Sequence, residues 1–144
     1  MTEPLITVET VIDADPSQVW TTLTQSPSPM FLGADVVSDW HKGSPLNMSG
    51  EFHGRQFHDH GEIRESEPGR RLAFTHFSGS QEGGGNLVDI RLEPQGERTR
   101  VTLSQAPLDG AHPDPAKIAE FRKNWEMMLG SLKKATEAKA LEEA

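Results

Sequence analysis

Cysteine is absent from the sequence. Disulfides, thiolate nucleophiles and cysteine-bearing metal sites are therefore excluded. No apolar run approaches the roughly 20 residues needed to span a bilayer. The opening MTEPLITVET has no basic patch followed by an apolar stretch, so no secretory signal is visible and the reading is cytoplasmic. Basic residues are in short supply, 14 against 22 acidic, for a net charge of −8. A nucleic-acid backbone would be repelled overall, which excludes nucleic acid as the expected partner. Aromatic residues are few: three tryptophans, six phenylalanines and no tyrosine. At 144 residues, with 34% hydrophobic and 25% charged residues, the chain has the size of a single domain, with no linker and no internal repeat.

Within that frame, residues 5–12 alternate, with Ile6, Val8, Thr10 and Ile12 on one face, which predicts a half-buried strand. Asp15-Pro16-Ser17-Gln18 is a helix start: an aspartate N-cap, a proline at the first helical position and a glutamine able to close a capping box. Val19, Trp20 and Leu23 form the buried stripe, and Ser26-Pro27-Ser28-Pro29 ends the helix. From Asp35 to Gln105 the pattern changes to short strands, expected at Asp35–Trp40, Pro45–Phe52, His58–Glu67, Arg71–Phe77, Asn86–Glu93 and Arg98–Gln105. Gly and Pro punctuation between them (Lys42-Gly43, His53-Gly54-Arg55, Glu67-Pro68-Gly69, Gly83-Gly84-Gly85 and Gln95-Gly96-Glu97) fits an antiparallel meander rather than alternating strands and helices. Asp114-Pro115 then opens a long helix. Ile118, Phe121, Trp125, Met128, Leu129, Leu132 and Ala135 recur along one stripe, Gly130 is read as a point of close packing on the sheet, and the tail from Ala138 is expected to fray.

The fold class is thus α+β, a curved antiparallel sheet against one long helix. A single helix covers such a sheet incompletely, and the remaining space is a candidate ligand cavity. Phe31 after the first helix and Trp40, Phe52 and Phe57 around the early strands are placed to line it. Phe74, His76, Val88 and Ile90 approach from the later strands, and Phe121, Trp125 and Met128 from the helix.

The order of elements resembles the helix-grip (START/Bet v 1-like) superfamily of lipid-transfer domains, the birch-pollen allergen and the aromatase/cyclases. More narrowly it is similar to the family of the activator of the heat-shock protein 90 ATPase. The matching stretches are Ala14-Asp15-Pro16-Ser17-Gln18-Val19-Trp20, Gly61-Glu62-Ile63-Arg64-Glu65 and Glu67-Pro68-Gly69-Arg70-Arg71-Leu72-Ala73-Phe74-Thr75. Arg98-Thr99-Arg100-Val101-Thr102-Leu103 and Asn124-Trp125-Glu126-Met127-Met128-Leu129-Gly130-Ser131-Leu132 complete them. These motifs are short and structural, and identify a fold better than a function. Phe31 stands near the place where the family usually has a tryptophan. The eukaryotic co-chaperone's separate amino-terminal domain has no counterpart in these residues.

Of the chemistry-bearing residues, His58 and His60 share one strand face and, with His53 or His76, have the spacing for a metal. Parity argues against it: with Phe57 and Ile63 inward, His58, His60, Glu62 and Arg64 face solvent, unless a bulge at Gly61 reverses them. Asp59 then points inward, where a carboxylate needs a partner, either Arg55 or His76. His76 shares a face with Leu72 and Phe74, and with Asp59 is the candidate acid/base. The indole N–H of Trp125 is free to reach a ligand or a backbone carbonyl. Gly83-Gly84-Gly85 lacks the lysine of a phosphate loop and reads as a flexible hairpin or lid. No metal or cofactor is called for. The leading reading is a protein that binds a small, largely apolar molecule. The alternatives are a polyketide cyclase/dehydratase-like enzyme and a co-chaperone-type interaction protein whose partner is a chaperone; a homodimer is compatible with each.

Overall fold

The computed structural model describes residues 4–31, 33–52, 54–77, 85–110 and 113–143, the side chains of Phe52 and Glu143 aside. Its elements run β1 (Ile6–Ile12), α1 (Pro16–Leu23), β2 (Asp35–Val37), β3 (Pro45–Phe52), β4 (Arg55–Glu67), β5 (Arg71–His76), β6 (Asn86–Gln95), β7 (Arg98–Pro107) and α2 (Pro115–Glu143). Among the described residues the strands form one seven-stranded antiparallel sheet in the order β1-β7-β6-β5-β4-β3-β2. This is the α+β helix-grip arrangement expected from the sequence, a curved sheet against a long C-terminal helix.

Local chemistry sets the boundaries. At the start of α1, Asp15 Oδ1 accepts from the Gln18 amide at 2.9 Å and Gln18 Oε1 accepts from the Asp15 amide at 3.0 Å, so the capping box forms as the sequence predicts. Val19, Thr22 and Leu23 are buried, whereas Trp20 is half-buried against the core. β2 stops at Val37, short of the expected Trp40. Asp39 accepts from the His41 amide and Trp40 adopts φ +63°, a left-handed conformation that cannot continue a strand. Phe77 joins the sheet through a single bridge to His60. β4 begins at Arg55 rather than His58 because Gln56 and Arg55 still pair with Glu51 and Phe52 of β3.

The core lies on the concave face. One row across the sheet, Ile63–Phe74–Val88–Gln105–Ile6, is formed by direct pairing partners and is buried throughout. α2 packs closely on β1 and α1, with Leu129, Leu132 and Thr136 buried in its second half. It stays helical to Glu143, past the point where fraying is expected. Gly130 does not press on the sheet: it is exposed, with no atom within 4 Å of where a Cβ would stand. Two cations of α2 reach the free margin of β1. Arg122 donates to the Thr7 carbonyl at 3.1 Å and Lys133 to the Val11 carbonyl at 2.6 Å. No described helix is long and apolar enough to cross a membrane.

Strand directions divide the molecule into two ends. The β3–β4, β5–β6 and β7–α2 connections share one; the β4–β5 and β6–β7 turns and the start of α1 share the other. The candidate site lies towards the first of these ends.

Candidate functional site

β5 places Phe74 and His76 two residues apart on the concave face, since alternate strand residues share a face. The Phe74 ring, wholly buried, meets Phe31 edge-on at 6.3 Å between centroids and 72° between planes. Phe31 in turn meets Trp125 of α2 at 6.4 Å and 81°. Three rings from a strand, a loop and a helix thus bridge the space between sheet and helix in the geometry that aromatic quadrupoles favour. On α2 Phe121, Met128 and Ile118 are half-buried against the core, and Val88 and Ile90 are fully buried within it. Trp40, also half-buried, sits apart from the rings, its carbonyl accepting from the Ser66 hydroxyl near the β4–β5 turn. Phe57 is half-buried, with its ring close against Gly50. The side chain of Phe52 and residue His53 lie outside the described residues.

The Trp125 indole does not offer its N–H to a backbone carbonyl or to open space. It donates to the side-chain oxygen of Gln105, a buried glutamine on β7. Sequence reasoning missed Gln105. Its signal was a polar residue at an inward position of a strand otherwise filled by Val101 and Leu103.

One pairing position beyond the rings is the polar element. Asp59 Oδ2 and His76 Nε2 are 2.9 Å apart, with side chains 17% and 26% exposed. Of the two partners expected for Asp59, His76 supplies the contact. β4 and β5 approach unusually closely here. A Cβ on Gly61 would stand 1.7 Å from the Thr75 carbonyl oxygen, and the Thr75 hydroxyl accepts from the Glu62 amide at 2.9 Å. The register shift in this strand pair falls between Ile63 and Glu65 rather than at Gly61. It leaves Asp59 inward and His58, His60, Glu62 and Arg64 exposed. His58 lies beside Asn47 at 3.3 Å and His60 stacks on Phe77 at 5.3 Å, on the face opposite His76. His58, His60 and His76 therefore do not converge, and no three metal-ligating groups cluster among the described residues.

Of the Gly83-Gly84-Gly85 run, residues 83 and 84 lie outside the described residues. Gly85 itself is buried and packed: its Cβ would meet the His76 carbonyl and the Phe77 ring at 2.6 Å, and its carbonyl accepts from the Leu108 amide. A concavity of about 240 Å³ opens at the far end between α1 and α2, lined by Ser17, Gln18, Thr21, Thr22, Thr136, Lys139 and Ala140. Its four hydroxyls already donate to Asp15 and to the carbonyls of Ser17, Gln18 and Leu132, so it is a structural notch with its hydrogen bonding spent inward.

Residues 13–137 match the family model described as Activator of Hsp90 ATPase homolog 1-like protein. The chain belongs to that family. Among solved structures, ChR145 from Cytophaga hutchinsonii shares 28% identity at a TM-score of 0.77, covering 97% of this chain and 98% of that one. The Aha1 dimer from Colwellia psychrerythraea shares 21% at 0.72, over 92% and 95%. DynU16, a protein of the dynemicin biosynthetic locus, shares 18% at 0.75, over 90% of this chain and 45% of its own. No curated protein matches the chain. At these identities the Colwellia and dynemicin-locus proteins speak for the fold, and the activator-like family membership rests on the model match.

Proposed function

We propose that this member of the activator-like family binds a small, largely apolar molecule between α2 and the concave face of the sheet. The reading is carried by the Phe31–Phe74–Trp125 contact. Three aromatic rings, from a strand, a loop and the helix, converge between the sheet and α2. Phe31 is a half-buried loop residue wedged between two anchored rings, so a planar ligand can take up the same edge-to-face contacts by displacing it. Ile118, Phe121 and Met128, half-buried on the first half of α2, supply further apolar wall.

The test is native mass spectrometry of the purified chain with a panel of planar and aliphatic apolar compounds. A one-to-one adduct is expected, lost in Phe74→Asp. Because that variant can also unfold, Trp125→Leu, with folding checked by far-UV circular dichroism, is the companion and is expected to weaken the adduct severalfold. An absence of adducts across the panel would overturn the proposal.

A further inference from the structure

We infer that the Asp59–His76 pair makes this site selective for apolar ligands that carry a hydrogen-bond donor, such as an aromatic alcohol, with Nδ1 of His76 as the acceptor. The inference rests on the apolar-ligand reading above and assigns the chemistry of one end of that ligand.

Asp59 Oδ2 lies 2.9 Å from His76 Nε2, and an ionised carboxylate can only accept, so Nε2 carries the proton. In the neutral imidazole the remaining nitrogen, Nδ1, is then an acceptor. A carboxylate behind an imidazole also fixes the ring's orientation, so little is left to order when a ligand arrives. Burial is intermediate, 26% for the His76 side chain and 17% for Asp59: sheltered enough for a hydrogen bond to count, and open enough for a ligand to reach.

Position supplies the rest. His76 is two residues beyond Phe74 on the same strand face, an advance of roughly 7 Å. A ligand ring stacked among Phe31, Phe74 and Trp125 therefore brings a substituent to the imidazole when its body is about two fused rings long. Gly61 is what lets the pair form on this sheet, since only a residue without Cβ permits β4 to approach Thr75 so closely beside it.

The experiment is calorimetric titration of the full chain with 2-naphthol and with 2-methylnaphthalene, which match in shape and differ in the donor. Wild type is expected to bind 2-naphthol about tenfold more tightly, the size of one sheltered hydrogen bond, although it is the less apolar compound. The preference is expected to vanish in His76→Phe with 2-methylnaphthalene binding retained. It should shrink in Asp59→Asn, a near-isosteric change that no longer dictates the tautomer. A pair that merely pins β4 to β5 would weaken both ligands alike and leave their ratio unchanged, and that result overturns the inference. So does a wild type that binds both compounds without preference. If neither compound binds, the inference is overturned, while the apolar-ligand reading is decided separately by the wider panel.

Discussion

Single residues decide the polar end of the site, and strand parity made much of it legible. Alternation from Ile63 back to Phe57 puts Asp59 inward, and alternation from Leu72 puts His76 on the same face, so their meeting could be anticipated from period two alone. Gln105 could not, because the sequence cannot show which inward polar residue will find the Trp125 indole. Gly61 was visible only as a glycine inside a strand. Its requirement is expected to be severe: Gly61→Ala drives a methyl into the Thr75 carbonyl and should cost at least 2–3 kcal/mol, roughly, by denaturant unfolding. A second residue-scale prediction concerns acid. Glu137 is held below the usual glutamate range by the Lys133 ammonium and, next, by the Asp13 amide, at 2.8 Å each. A depressed carboxylate contributes stability that is present above its unfolded pKa of about 4.3 and is lost as pH falls through its folded value. With both side chains partly solvated, Glu137→Gln should lower stability by less than ~1 kcal/mol at pH 7, and the gap should close as pH falls below the unfolded value of about 4.3, read in parallel thermal melts.

Elements were the most legible level. The Asp-Pro starts of α1 and α2, the period-two strands and their turn punctuation located every element, because caps and alternation are local signals. What local signals missed was set by tertiary geometry. The left-handed turn at Trp40 cut β2 short, and α2 runs on to Glu143 although Leu141 and Glu142 in its last turn are exposed. Gly130 shows the same limit, since glycine in a helix suggests close approach and here faces solvent. Gly130→Ala is therefore expected to raise stability by about 0.4–1 kcal/mol, read as a rise in melting temperature, with ligand binding unaffected. The two halves of α2 differ as well. Leu129, Leu132 and Thr136 are buried whereas Ile118 and Phe121 are only half so, and amide exchange is expected to be fastest before Phe121 and slowest between Trp125 and Thr136.

On the scale of the whole molecule, strand direction separates a chemically varied end, with the aromatic rings and the Asp59–His76 pair, from an end of tight turns and the α1 cap. The sequence implies this division through the order of its hairpins, but the width between α2 and β5 depends on how three rings interlock, which no linear pattern records. The Arg122 and Lys133 contacts to β1 have a consequence of their own. An outermost strand with vacant carbonyls is a template on which another chain can zip up by main-chain pairing, the first step towards fibrils. Two long cations laid across Thr7 and Val11 occupy those carbonyls and set positive charge along the strip, so the helix that roofs the interior also guards the sheet's flank. Replacing both with methionine is expected to leave the fold intact and to shorten the lag before thioflavin-positive aggregation on agitation at 37 °C.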